Sequence, residues 1–127
     1  MQERDLYEYA IIRVVPRVER EEFMNIGAIV FCAKQCFLEV VYHLDRERLA
    51  AFCPQTDLEE LQLHLKALQD ICSGEKEAGP IGQLDRPSRF RWLTATRSTV
   101  IQTSKVHPGF CIDAAATLER IYRTMVL

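Results

Sequence analysis

From Leu6 to Val15 the side chains sort by alternation into two sets, Ala10, Ile12 and Val14 on one parity and Tyr7, Tyr9, Ile11, Arg13 and Val15 on the other. That period is a β-strand's. The first set predicts a core face. The second places aromatic rings beside a guanidinium, which suits an exposed or ligand-facing surface. Pro16 has no N–H to give a ladder and marks the strand end or an edge position. Charges crowd Val18 to Asn25, where a loop or one helical turn anchored by Phe23 is expected. Asn25–Ile26–Gly27 turns into a second strand, Ile26 to Cys32, apolar on both faces and therefore central. Ala33–Lys34–Gln35 reads as a three-residue hairpin loop into a third strand, Phe37 to Leu44. If Cys32 faces Cys36, the register pairs Val30 with Leu38, Ala28 with Val40 and Ile26 with Tyr42 on one apolar face. The other face pairs Phe31 with Phe37, Ile29 with Glu39, Gly27 with Val41 and Asn25 with His43, grading from apolar to polar. Gly27 opposite Val41 leaves a gap where a backbone or ligand could approach.

Beyond this hairpin the period lengthens to that of helices. Asp45 to Phe52 predicts a short helix with Asp45 at its N-cap, ended by Cys53–Pro54. Thr56 and Glu59 form a capping-box pattern that opens a longer helix, with Leu58, Leu61, Leu65, Leu68 and Cys72 on one stripe and Ser73–Gly74 as its stop. Glu75 to Gln83 is a turn-rich connection, and Arg86 to Thr94 a third short helix with Pro87 in its first turn and Phe90, Trp92 and Leu93 packing. Ser98 to Ser104 reads as strand four, Val106–His107–Pro108–Gly109 as a turn, and Asp113 as the cap of a last helix striped by Leu118, Ile121, Tyr122 and Met125. Strands early and helices late predict an α+β fold, a single domain over residues 1–127 with a small, mainly antiparallel sheet of about four strands packed against helices.

Composition adds little to that outline except through its bases. The net charge of −2, with 48% hydrophobic and 27% charged residues, is ordinary for a globular chain and announces neither a nucleic-acid nor a membrane partner. Twelve arginines stand against four lysines, a bias shared by GC-rich genomes but also one that favours forked contact with carboxylate or phosphate. Five cysteines without Cys-x-x-Cys spacing do not read as a secreted disulfide framework. The polar N-terminus lacks a signal peptide's apolar core, and no apolar run reaches a membrane span of ~18 residues. A reducing cytosol is the expected compartment.

Candidate chemistry falls into local groups. Arg13, Arg17 and Arg20 with Glu22 and Asn25, the run Arg97 to Ser104, and the His107 turn together offer the forks, hydroxyls, amide and imidazole that hold an oxyanion. The leading expectation is a non-catalytic binding or accessory module, with an anion pocket formed by Arg13, Arg17, Asn25, Arg97, Gln102 and His107. Surface salt bridges and a polar edge strand are the plain alternative for the same residues. A small anion or nucleotide is the expected ligand, with no cofactor. Cys32 and Cys36 have no second pair to complete a zinc site, so no metal is expected. A phosphoester or acyl hydrolase would use His107 as base with Cys111 or Ser104 as nucleophile. Tyr7, Tyr9, Arg13 and Arg17, sharing one parity, could stack bases on a sheet face, and Arg86, Arg89, Arg91 and Arg97 surround Trp92. An acidic total charge without a basic stripe argues against nucleic acid. A role as interaction partner predicts an exposed apolar patch larger than a monomer usually carries.

Across Arg13 to Cys32 and again across Arg97 to Cys111 the chain resembles a bacterial family known as domain of unknown function 3037. The segments that carry the likeness are Tyr9 to Gly27, Gly79–Pro80–Ile81–Gly82, and Arg97–Ser98–Thr99–Val100–Ile101–Gln102, so the resemblance spans nearly the whole chain. It implies no activity, because the family has none assigned. Some members look to be encoded beside kinase-like proteins of the HipA type, which implies an accessory or partner role that no single residue carries.

Overall fold

In the computed structural model, which describes residues 4–95 and 100–127, the long strand β1 (Asp5–Val14) is paired along both of its sides. On one side lie β2 (Met24–Cys32) and, beyond it, β3 (Phe37–Tyr42). On the other, two short strands, β4 (Ile101–Thr103) and β5 (His107–Cys111), run end to end along the same edge. All pairings are antiparallel. Among the described residues five α-helices accompany the sheet: α1 (Arg46–Phe52), α2 (Leu58–Ser73), the single turn α3 (Gly79–Gly82), α4 (Arg86–Leu93) and α5 (Ala114–Met125). The fold is α+β, with five strands among the described residues where about four are expected.

Both faces of the sheet carry helices. Ala10, Ile12, Val14, Ile29, Phe31 and Leu38 bury against α1, α2 and α4, where Leu49, Leu61, Leu65 and Phe90 meet them. Tyr7, Ile11, Ala28, Val30 and Cys32 bury on the other side against Leu118 and Ile121 of α5. The second parity of β1 is thus not an open face: Tyr7 and Ile11 are 7% and 2% exposed. Its cover comes from the far end of the chain, which alternation within β1 cannot reveal. β2 is sandwiched between helices and buried from Ile26 to Cys32, as its doubly apolar pattern requires.

The β2–β3 turn takes four residues, Ala33–Cys36, closed by the Cys36 N–H donating to the Ala33 carbonyl, with Cys36 itself left-handed at φ 52°. The extra residue slides the register by one from the expected pairing: Val30 faces Glu39, Phe31 faces Leu38 and Cys32 faces Phe37. Gly27 faces Tyr42, and there is no gap beside it, since a Cβ there would lie 2.6 Å from the Val41 carbonyl oxygen and 2.8 Å from the Tyr42 Cβ.

Two irregularities in β1's ladders set the geometry that follows. Between Ile12 and Arg13 the register against β2 shifts, leaving Ile26 as an extra residue that packs with Ile12 and Leu49. Between Ile12 and Tyr9 the other edge spends Ser104, Lys105 and Val106 against Ala10 and Ile11. Ser104 fills this second bulge. Its N–H donates to the Ile11 carbonyl at 2.8 Å, while its hydroxyl accepts the Ile11 N–H at 2.8 Å and donates to the Lys105 carbonyl at 2.9 Å. The expected strand Ser98 to Ser104 is confined to Ile101–Thr103 among the described residues; Ser98 and Thr99 lie outside them. The expected turn at Val106 to Gly109 is a strand instead, because Pro108 sits on the outer edge, where its missing N–H costs no ladder bond.

The helix caps are local. Asp45, Asp85 and Asp113 cap α1, α4 and α5 through side-chain acceptance of backbone N–H groups. The cap of α2 is Asp57 rather than Thr56, accepting from Glu59 and Glu60, since a carboxylate one residue closer reaches the same donors. At its other end Gly74, left-handed at φ 71°, closes α2. The Arg89 guanidinium lies against it, with Nη1 donating to the carbonyls of Ile71 and Cys72 at 2.9 Å each. Among the described residues no helix is long and apolar enough to cross a membrane.

Candidate functional site

The first bulge places Arg13 opposite Asn25, and β4 places Gln102 opposite Arg13 on the other side. Three of the six residues expected to form a pocket, Asn25, Arg13 and Gln102, therefore form one row across three strands, on the α5 side of the sheet. Asn25 Nδ2 donates to the Met125 carbonyl in the last turn of α5 at 3.1 Å. The Arg13 guanidinium carbon lies 3.9 Å from the centroid of the Phe23 ring, a cation–π contact that holds the fork in place.

The electrostatics of this row are unusual for a half-buried cation. Among the described residues Arg13 makes no ion pair. Its Nε is buried with no hydrogen-bond partner, and so is Oδ1 of the neighbouring Asn25. A guanidinium withdrawn from water without an anion is costly. The carbonyl end of α5 beside Asn25 and the Phe23 ring offset part of that cost.

Arg17 lies around the end of the sheet from this row. It lines a cleft of about 840 Å³ between the Pro16–Glu22 loop and the α1–α2 connection. Phe52, Leu61 and Ile101 supply its apolar wall, and Asp57, Glu60 and His64 its polar side. Arg20, on the same lip, is ion-paired with Glu22, whereas Arg17 makes no ion pair among the described residues. A shallower hollow of about 350 Å³, lined by Phe23, Asn25 and Met125, shares Phe52 with the cleft. Arg17 and the Arg13 row thus open at the same end of the molecule, separated by Phe52.

His107 is elsewhere. It pairs with Tyr9, their ring centroids 5.4 Å apart, four residues back along β1 from Arg13 and so ~13 Å away along the strand. Arg97 lies outside the described residues. The hydrolase arrangement is not assembled either. Cys111 stands four residues from His107 on one strand, again ~13 Å, buried under α5 with its thiol pushed up, first by burial and then by the neighbouring Cys32. Ser104 spends its hydroxyl in the ladder. The Tyr7/Tyr9 face is no stacking platform, since α5 covers it and the Tyr7 ring lies over Gly109. Arg89 is equally withdrawn from any basic surface, 8% exposed beneath α2. No cluster of three or more metal-ligating side chains occurs among the described residues.

Two positions that matter here escaped sequence reasoning. Phe23 carries Arg13 on its ring, though its isolated place in a charged loop suggested only an anchor. Gln35, in the hairpin turn, donates to Asp5 and to the Ile112 carbonyl and accepts the Ala114 N–H, so it clamps the start of α5; nothing in the sequence signals it.

No curated protein and no solved structure matches the chain. A family model does, over residues 9–126, and the chain accordingly belongs to the family described as a protein of unknown function, DUF3037.

Proposed function

We propose that this protein is a non-catalytic binding module whose ligand carries a carboxylate or phosphate, received at the end of the sheet by Arg13 and Asn25 with Arg17 on the adjoining cleft. The observation that supports it is the half-buried Arg13 guanidinium, stacked on Phe23, with its Nε unpartnered and no acid paired to it among the described residues. An oxyanion is the group that such a fork accepts most strongly, and the pre-set ring contact spares the entropy of ordering it. Gln102, next in the row, places an amide on the far side of Arg13. The cleft has a volume in the range of small-molecule sites. Five free thiols, four of them buried as small core residues, accord with a reducing cytoplasm.

The test is a titration with inorganic phosphate, sulfate, acetate and ATP, read by melting temperature and by amide chemical shifts. At least one of these is expected to raise the melting temperature and to move the amides of Arg13 and Asn25. Arg13→Gln should weaken that ligand at least tenfold, about 1.4 kcal/mol, and Arg13→Lys, which keeps the charge but not the fork, should fall between. If none of the four anions moves either observable, the site is a structural one and the proposal fails.

A further inference from the structure

At the opposite end of β1, the sheet face that carries α2 and α4 runs out from under its helices. Leu6 and Phe110 are cross-strand partners there, 51% and 67% exposed. Along the edge strand the same alternation brings Val106 and Ile112 beside them, 37% and 55% exposed, with exposed Pro108 opposite Glu8. Four large apolar side chains and a proline thus form one uncovered strip, whereas Ala10, Ile12, Val14 and Ile29, farther along this face, are buried.

We propose that this strip is a homodimer interface, in which a second copy of the chain packs face to face across a two-fold axis beside Leu6. The occupant is argued from charge. Leu6 and Glu8 share one face of β1, and Arg4, one residue before the strand, continues their alternation, so the order is cation, apolar, anion. A two-fold through Leu6 runs the two strands antiparallel and lays Arg4 of each copy over Glu8 of the other, which is the self-complementarity an isologous contact requires. Neither Arg4 nor Glu8 makes an ion pair within the chain among the described residues. Edge-to-edge addition at β5 is disfavoured, because Pro108 in the middle of that strand has no N–H to extend the ladder. The apolar side chains would bury about 400 Å² per copy, the low end of specific interfaces, so the dimer is a weak one with a dissociation constant of micromolar order.

Sedimentation equilibrium of the full chain between about 1 and 200 μM tests this. A monomer–dimer equilibrium is expected, weakened at least tenfold in Phe110→Ser and again in Arg4→Glu, with the double variant Arg4→Glu/Glu8→Arg restoring association. Far-ultraviolet circular dichroism melts verify that each variant folds. A wild-type chain that stays monomeric throughout, or a charge swap that fails to restore what Arg4→Glu removes, overturns the proposal.

Discussion

Single side chains in this protein are tightly constrained where β1 meets its edge strand. Gly109 lies under the Tyr7 ring, and a Cβ there would stand 2.5 Å from Tyr7 Cζ and 2.6 Å from its hydroxyl. Tyr7 cannot retreat, because it is 7% exposed and packed with Ile11 and Cys32 beneath α5. Gly109→Ala is therefore expected to destabilise the fold by about 1–3 kcal/mol, the range for overpacking a filled site. Urea unfolding measures it, and an unchanged midpoint would show that the ring moves freely. The sequence offers Gly109 as a turn residue, since Pro-Gly is ordinary turn chemistry. What makes it a strand residue is Tyr7, a hundred positions away, and no local pattern carries that.

At the scale of elements, α2 shows how legible and illegible parts sit side by side. Its stripe of Leu61, Leu65 and Cys72 and its glycine stop are written in the local sequence, and all of them are realised. The Asp70 and Ile71 carbonyls at its end accept local N–H groups from Gly74 and Glu75, but the Cys72 carbonyl is met, and that of Ile71 met a second time, by Arg89, from a helix whose arginines read as a surface cluster around Trp92. Burial pushes the Cys72 thiol up to about 12, with the Arg89 charge beside it acting in the opposite direction. Arg89→Met should leave the Cys72 carbonyl without its Arg89 donor, while Ile71 keeps the Gly74 N–H, and cost about 1–3 kcal/mol. Chemical denaturation gives the magnitude, and hydrogen exchange should localise the loss to the last turn of α2. The same contrast governs the hairpin and the candidate site. The strands β2 and β3 follow from their apolar runs, but one residue of turn geometry decides the register. Arg13, Asn25 and Gln102 were recognisable as polar groups at strand ends, yet a bulge that displaces Ile26 is what aligns the first two. His107 separates from them because the edge strand is continuous past it.

For the whole molecule, β1 acts as a beam with a different task at each end. Arg13 and its row stand at one end and Leu6 at the other, seven residues apart and so ~23 Å along the strand. That exceeds the Debye length of about 8 Å at physiological salt, and it exceeds the separation of ~7–10 Å beyond which substitutions ordinarily add. Anion binding and self-association should therefore be independent. Arg13→Gln is expected to abolish the ligand-induced rise in melting temperature while leaving the sedimentation equilibrium of the wild type. Phe110→Ser is expected to dissociate the dimer while leaving the anion titration unchanged, and the double variant should lose both by the sum of the separate effects, within about 0.5 kcal/mol. A larger deviation would mean that the beam transmits. The path would then have to run through the bulge at Ser104, where one hydroxyl takes the place of a ladder carbonyl between the two ends, and Ser104→Ala should remove the coupling while leaving each activity in place.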